Sequence, residues 1–250
     1  MESAGDAKKR YVLEEVSETG SNSTTLKTQN KIEKYSTSIK VREIRTKKGE
    51  YLKVMYTNAD QFLNKKEDLL LNIAGDEPNI IMITEVIPKA QINPIEAPRL
   101  EMHGYNVHFN FEITESNLGA SGIRGVAIYS KVDLEASKLN FNTDFKDHLW
   151  VEILLIENDS LLCGCIYRSP SKEKEATTKS TFQVCDIISK AVERHNTHLL
   201  ICGDFNYPEI DWDNESFGEH NDHLTSFLAK LHDCFLHQHI TEPTRFRQGE

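Results

Sequence analysis

Between Tyr105 and Tyr167 the chain strings together four strand-length runs: Tyr105–Phe111, Arg124–Tyr129, Trp150–Ile156 and Leu161–Tyr167. Turn residues part them, as in Gly119-Ala120-Ser121-Gly122 and Asn158-Asp159-Ser160. This succession leaves no room for the crossover helices that parallel neighbours require, so it argues against a doubly wound parallel sheet. Before it, Tyr51–Thr57 reads as a strand, and Asn79–Thr84 is an apolar run too short for an ordinary helix. Between those two, Leu69, Leu70 and Ile73 fall at helical spacing, and Asn64 with Glu67 resembles a capping box at the helix start. After it, the spacing predicts a helix over 178–194 with Phe182, Cys185, Ile188 and Val192 on its apolar face. A buried strand follows at Leu199–Cys202, then a helix through Leu224, Phe227, Leu228 and Leu231, then a short strand within Phe235–Ile240. An apolar sheet face needs cover. Two packed sheets with helices outside them satisfy the whole pattern, and no internal repeat is present.

Apolar residues make up 38% of the 250-residue chain, enough for a core. They are scarce in residues 1–48, which are rich in Ser, Thr, Lys and Glu; this predicts a disordered polar tail before a domain at 49–250. The basic cluster Arg42, Arg45, Lys47 and Lys48 reads as a solvated charge run. The sequence has no bilayer-length apolar stretch and a polar start, so an intracellular protein without a membrane span is expected. Five cysteines with no Cys-x-x-Cys pair predict buried free thiols rather than disulfides or a zinc site. The net charge of −10 divides into +3 for residues 1–50 and −13 for the rest. An acidic domain gives no general electrostatic capture of nucleic acid, so any such binding needs a local basic groove or bound cations.

Several polar residues stand just beyond the expected strands. Gly203-Asp204-Phe205-Asn206 follows Leu199–Cys202. Residues two apart on extended chain share a side, so Asp204 can hold a cation or a water while Asn206 donates to a phosphate oxygen. Gly203 lets backbone approach closely. The competing reading is an Asp-Asn turn. Glu85, directly after Ile80–Thr84, has the chemistry of a hard-cation ligand, against a solvated glutamate at a strand end. Asn58, after Tyr51–Thr57, offers an amide that can orient a water or a carboxylate. Tyr167-Arg168-Ser169-Pro170 ends another strand; the hydroxyl can bind a phosphate and Arg168 can add charge, against a core aromatic followed by a proline turn. His220 and His223 are a weaker metal pair, since Asn221 and Asp222 make a good helix start.

In order, Thr57-Asn58, Ile83-Thr84-Glu85, Arg124-Gly125-Val126-Ala127-Ile128-Tyr129, Trp150-Val151-Glu152, Tyr167-Arg168-Ser169-Pro170 and Gly203-Asp204-Phe205-Asn206 resemble the endonuclease/exonuclease/phosphatase superfamily. Within it the set is most similar to the apurinic-endonuclease-like domains of non-LTR retrotransposons. The resemblance spans about residues 51–250. It implies a four-layered α/β sandwich, two mainly antiparallel sheets flanked by helices. It implies Mg2+ (or Mn2+) held by Glu85 with support from Asn58, Tyr167 on the scissile phosphate, Asp204 on the attacking water and Asn206 on the phosphate. DNA is the implied substrate and the nucleus an implied location.

The sequence departs from that family in two places. Ser169 stands where the motif usually carries a first proline. The family also ends in a Ser-Asp-His type motif, and here the sequence reaches Glu250 just past Pro243-Thr244-Arg245-Phe246 with no such pair. The resemblance then implies a lost catalytic histidine and missing terminal strands, with an unpaired sheet edge. Three functions are consistent with these observations. They are a DNA-nicking endonuclease, a phosphatase or phosphodiesterase on nucleotides, phospholipids or inositol phosphates, and an inactive fragment that still binds.

Overall fold

The computed structural model describes residues 9–14, 17–18, 36–45, 51–60, 62–88, 97–111, 123–212, 214–217, 221–240 and 245–246; only backbone is described before residue 51 and at 63, 64, 97, 245 and 246. The first half runs β1 (Lys9–Glu14), β2 (Ser17–Glu18), β3 (Ser36–Arg45), β4 (Tyr51–Asn58), α1 (Phe62–Asp76), β5 (Ile80–Thr84), the single turn α2 (Ala97–Leu100), β6 (Tyr105–Phe109), β7 (Val126–Lys131) and β8 (Ala136–Leu139). The second runs β9 (His148–Leu154), β10 (Ser160–Tyr167), α3 (Lys174–Glu193), β11 (His198–Asp204), β12 (Ile210–Asp211), β13 (Ser216–Phe217), α4 (Asp222–Asp233), β14 (His237–Gln238) and β15 (Arg245–Phe246). No helix among the described residues is long and apolar enough to cross a membrane.

Two sheets carry the fold. One has the order β14-β1-β11-β10-β9-β8, the other β3-β4-β5-β7-β6. The second is mainly antiparallel, with β4 and β5 its parallel pair. The first is mixed: β14, β1, β11 and β10 run parallel, and only β10-β9 and β9-β8 are antiparallel. The expectation of two mainly antiparallel sheets is corrected to that extent, because α3 carries the chain back between β10 and β11 as a crossover.

The layers follow from strand alternation. Leu52, Val54 and Tyr56 of β4, Ile80 and Met82 of β5, and Val126 and Ile128 of β7 face the gap between the sheets. There they meet Cys163 and Cys165 of β10 and Leu200 and Cys202 of β11. The odd-numbered residues Met55, Ile81 and Ile83 turn outward onto Phe62, Leu69 and Ile73 of α1. On the other sheet Leu162, Ile166, Leu199 and Ile201 turn outward onto α3 and α4. Strands covered on both faces read as continuous apolar runs, which is why β5 is Ile-Ile-Met-Ile-Thr and wholly buried. The order is helices, sheet, sheet, helix: the expected four-layered α/β sandwich. All five cysteines are buried, and none is in a disulfide.

Several local expectations shift. Asn64 lies inside α1, which begins at Phe62, so it is not a cap. α3 starts four residues earlier than the spacing predicts. It buries Thr181, Val184, Cys185, Ile188 and Ala191, and this stripe leaves Phe182 at 55% exposure. Three stretches of the region read as a polar tail are strands: β3 pairs with β4, β1 with β11, and β2 with β15. The turn at 119–122 and His220 lie outside the described residues.

Candidate active site

The parallel pairs β4-β5 and β10-β11 sit in opposite sheets and end at the same edge of the sandwich. Alternation carries Asn58 on from Val54 and Tyr56, Tyr167 from Cys163 and Cys165, and Asp204 from Leu200 and Cys202, all facing the gap. Tyr167 and Asp204 are register partners. Glu85 breaks the pattern, because parity would send it outward with Ile81 and Ile83. Its φ of 55° lies in the left-handed region, and this turns the side chain back to the site. A non-glycine residue there costs about 1–3 kcal/mol, a kind of strain that collects at functional sites.

Asn58 joins the two sheets. Its Nδ2 donates to Glu85 Oε1 at 3.1 Å and to Asp204 Oδ2 at 2.7 Å, while its Oδ1 accepts the Asp60 backbone N–H at 3.1 Å. The positive end of one amide dipole thus lies between two buried carboxylates. Arg124 pairs with Glu85 through Nη2, reaches Asp60 at 3.4 Å, and donates from Nε to the Ile87 carbonyl at 3.1 Å. The Tyr167 phenol is pushed up by burial first and then by the charges of Glu85 and Asp204. It therefore stays protonated at neutral pH and acts as a donor.

Behind Arg124 lies Asp147, which the sequence reading did not single out. Its Oδ1 accepts the backbone N–H groups of Arg124 at 3.1 Å and Gly125 at 3.0 Å. Burial raises its carboxyl to about 6, against the lowering effect of those two N–H groups and of the Arg124 charge. Arg124 opened a quoted motif without a role; here it holds the Glu85 carboxylate. Asp147 left no trace in the sequence, since an aspartate before a strand reads as a turn residue.

Arg168 and Asn206 are placed differently from expectation. Adjacent strand residues point to opposite sides, so Arg168 leaves the gap that Tyr167 faces. It stacks on the Tyr207 ring with Cζ 4.0 Å from the centroid, donates from Nε to the Phe205 carbonyl at 2.5 Å, and donates from Nη2 to the Asn206 carbonyl. Asn206, with φ 54°, returns an N–H from Nδ2 to the Arg168 carbonyl at 2.8 Å. Its side chain thus braces this loop rather than meeting Asn58, Glu85 or Asp204. Gly203 is the close approach expected of it: a Cβ there would stand 2.2 Å from the Ile166 carbonyl oxygen. His223 packs near Tyr207, with ring centroids 6.3 Å apart.

The carboxylates of Glu85 and Asp204 are hard-oxygen donors of the kind a divalent cation takes with water completing its shell; Asn58 turns its Nδ2 to them and its Oδ1 to the Asp60 N–H. No three His, Cys, Asp or Glu side chains gather as a metal cage among the described residues. The fit is to an ion that keeps most of its water, as magnesium does.

The sequence matches the Endonuclease/Exonuclease/phosphatase family over residues 55–249, and the chain belongs to that family. Its members are usually hydrolytic nucleases and phosphatases and typically use divalent metals. Similar solved folds include AP endonuclease LMAP from Leishmania major, 14% identical with a TM-score of 0.56 over 83% of this chain and 74% of that one. An AP endonuclease from Archaeoglobus fulgidus is 15% identical, with a TM-score of 0.49 over 72% and 70%. The 3' phosphatase NExo from Neisseria, bound to product DNA hairpin, is 14% identical, with a TM-score of 0.49 over 73% and 71%. A search of curated sequences gave no match.

Proposed function

We propose that the chain is a divalent-metal-dependent phosphodiester hydrolase that nicks DNA, of the retrotransposon endonuclease type. The observation that carries this reading is the bridge from Asn58 to both Glu85 and Asp204, which gathers donors from two sheets at one buried edge. The fold it shares with an AP endonuclease supports DNA as substrate. Glu85 would hold Mg2+ (or Mn2+), with Asn58 supporting the site by fixing the Glu85 and Asp204 carboxylates; the ion when bound supplies Lewis-acid stabilisation of the leaving oxygen.

The protein's own groups do the rest. Arg124 holds the Glu85 carboxylate in place through their ion pair. Tyr167 donates its O–H to a non-bridging phosphate oxygen, a role its raised pKa protects. Asp204, fixed by Asn58, accepts a hydrogen bond from the attacking water and directs it at phosphorus. Asn206 steadies the phosphate side through the loop it braces.

A plasmid-nicking assay tests this. Supercoiled DNA is relaxed in Mg2+ and left intact in EDTA, and Glu85→Ala or Asp204→Ala lowers the rate by about a thousandfold or more. Hydrolysis of a phosphorylated nucleotide or inositol without nicking would favour the phosphatase reading, to which the acidic net charge of −10 lends weight.

A further inference from the structure

Arg168 is only 3% exposed, yet its guanidinium has no carboxylate partner among the described residues, and its Nη1 has no hydrogen-bond acceptor among them. A buried cation is ordinarily paired, because an isolated charge in the interior is costly. Arg168 forms part of the wall of a cavity of about 400 Å³, on the far side of the 204–206 loop from Glu85. Lys174 and Thr177 of α3, His223 of α4 and Asn206 share that wall.

Both helices begin at the cavity. Neither has a side-chain cap: the residues before them, Glu173 and Asn221, make no capping hydrogen bond. Their first-turn N–H groups and dipoles are therefore left for an anion. Glu209 and Asp222 also border the cavity, both exposed at its rim, and they limit the charge it will accept. Two helix N-termini, an unpaired buried guanidinium and one lysine suit a singly charged phosphodiester. Asn206 links this wall to the loop that carries Asp204.

We propose that this cavity is a second phosphate subsite, which takes a backbone phosphate of the DNA strand next to the one that is hydrolysed. It rests on the phosphodiester-hydrolase reading for the identity of the strand.

Its test is separate from turnover. A short labelled duplex is bound to the full chain in EDTA, with single phosphates replaced in turn by uncharged methylphosphonates. One replacement next to the nicking position weakens binding about tenfold. Lys174→Glu, an exposed first-turn change that the helix tolerates, weakens the intact duplex similarly, and the methylphosphonate then adds nothing. Inorganic phosphate, titrated alone, shifts the His223 ring signals in NMR. An unmoved His223 overturns the subsite. A His223 shift without coupling to the duplex overturns the strand assignment in favour of free phosphate. Coupling that persists while nicking in Mg2+ fails sinks the hydrolase reading and leaves the subsite standing.

Discussion

Asp147 sets the position of Arg124, and Arg124 that of Glu85. A carboxyl whose folded pKa, about 6, lies above its ordinary 3.8 binds its proton more tightly in the fold. Its contribution is therefore full below about 3.8 and is lost as pH rises through 6. Asp147→Asn keeps an oxygen for the Arg124 and Gly125 N–H groups and removes that titration. In EDTA the variant should gain on the wild type by roughly 2–3 kcal/mol between pH 4 and pH 7. Urea unfolding at both pH values checks this, and a difference independent of pH contradicts it. Of the residues at this edge, Asn58, Glu85, Tyr167 and Asp204 were legible because each stands just past an apolar run. Asp147 was not, since its role comes from long-range packing. Arg168 was legible as a charge, but its side was fixed only once the strand's parity was known.

At the level of elements, strand ends position the chemistry, and the tightest point is the contact of β10 with β11. Gly203→Ala would drive a methyl group into the Ile166 carbonyl, backbone that cannot swing away. The expected cost is about 1–3 kcal/mol, read as a lower thermal midpoint, with a lower nicking rate because Asp204 is the next residue. An unchanged midpoint would show that the two strands separate easily. The buried strands were readable from sequence because both of their faces are covered. The start of α3 was harder, because its first turns, Lys174 to Thr181, are polar and β-branched and carry little apolar period. The short β14 is two residues against the six expected, cut by Phe235 at φ 53°.

Across the whole molecule, the layer order was legible and the share of the N-terminal region was not. Polar segments such as 36–45 look like tail, yet here β3 and β1 lie along the edges of β4 and β11. The sequence reading expected an open sheet edge; β11 has β1 beside it. Deleting residues 1–48 should therefore bare both edges, lower the thermal midpoint and produce concentration-dependent association in sedimentation; a monomer of unchanged midpoint would show that these strands add nothing. The account as a whole depends on Glu85 and Asp204 serving one cation. Titration with Mn2+, followed by the EPR signal of the free ion, tests that most directly. The full chain should take up one tightly bound ion, Glu85→Gln should lose it, and Asp204→Asn should weaken it about tenfold or more. Equal Mn2+ uptake by the wild type and Glu85→Gln would contradict the shared site.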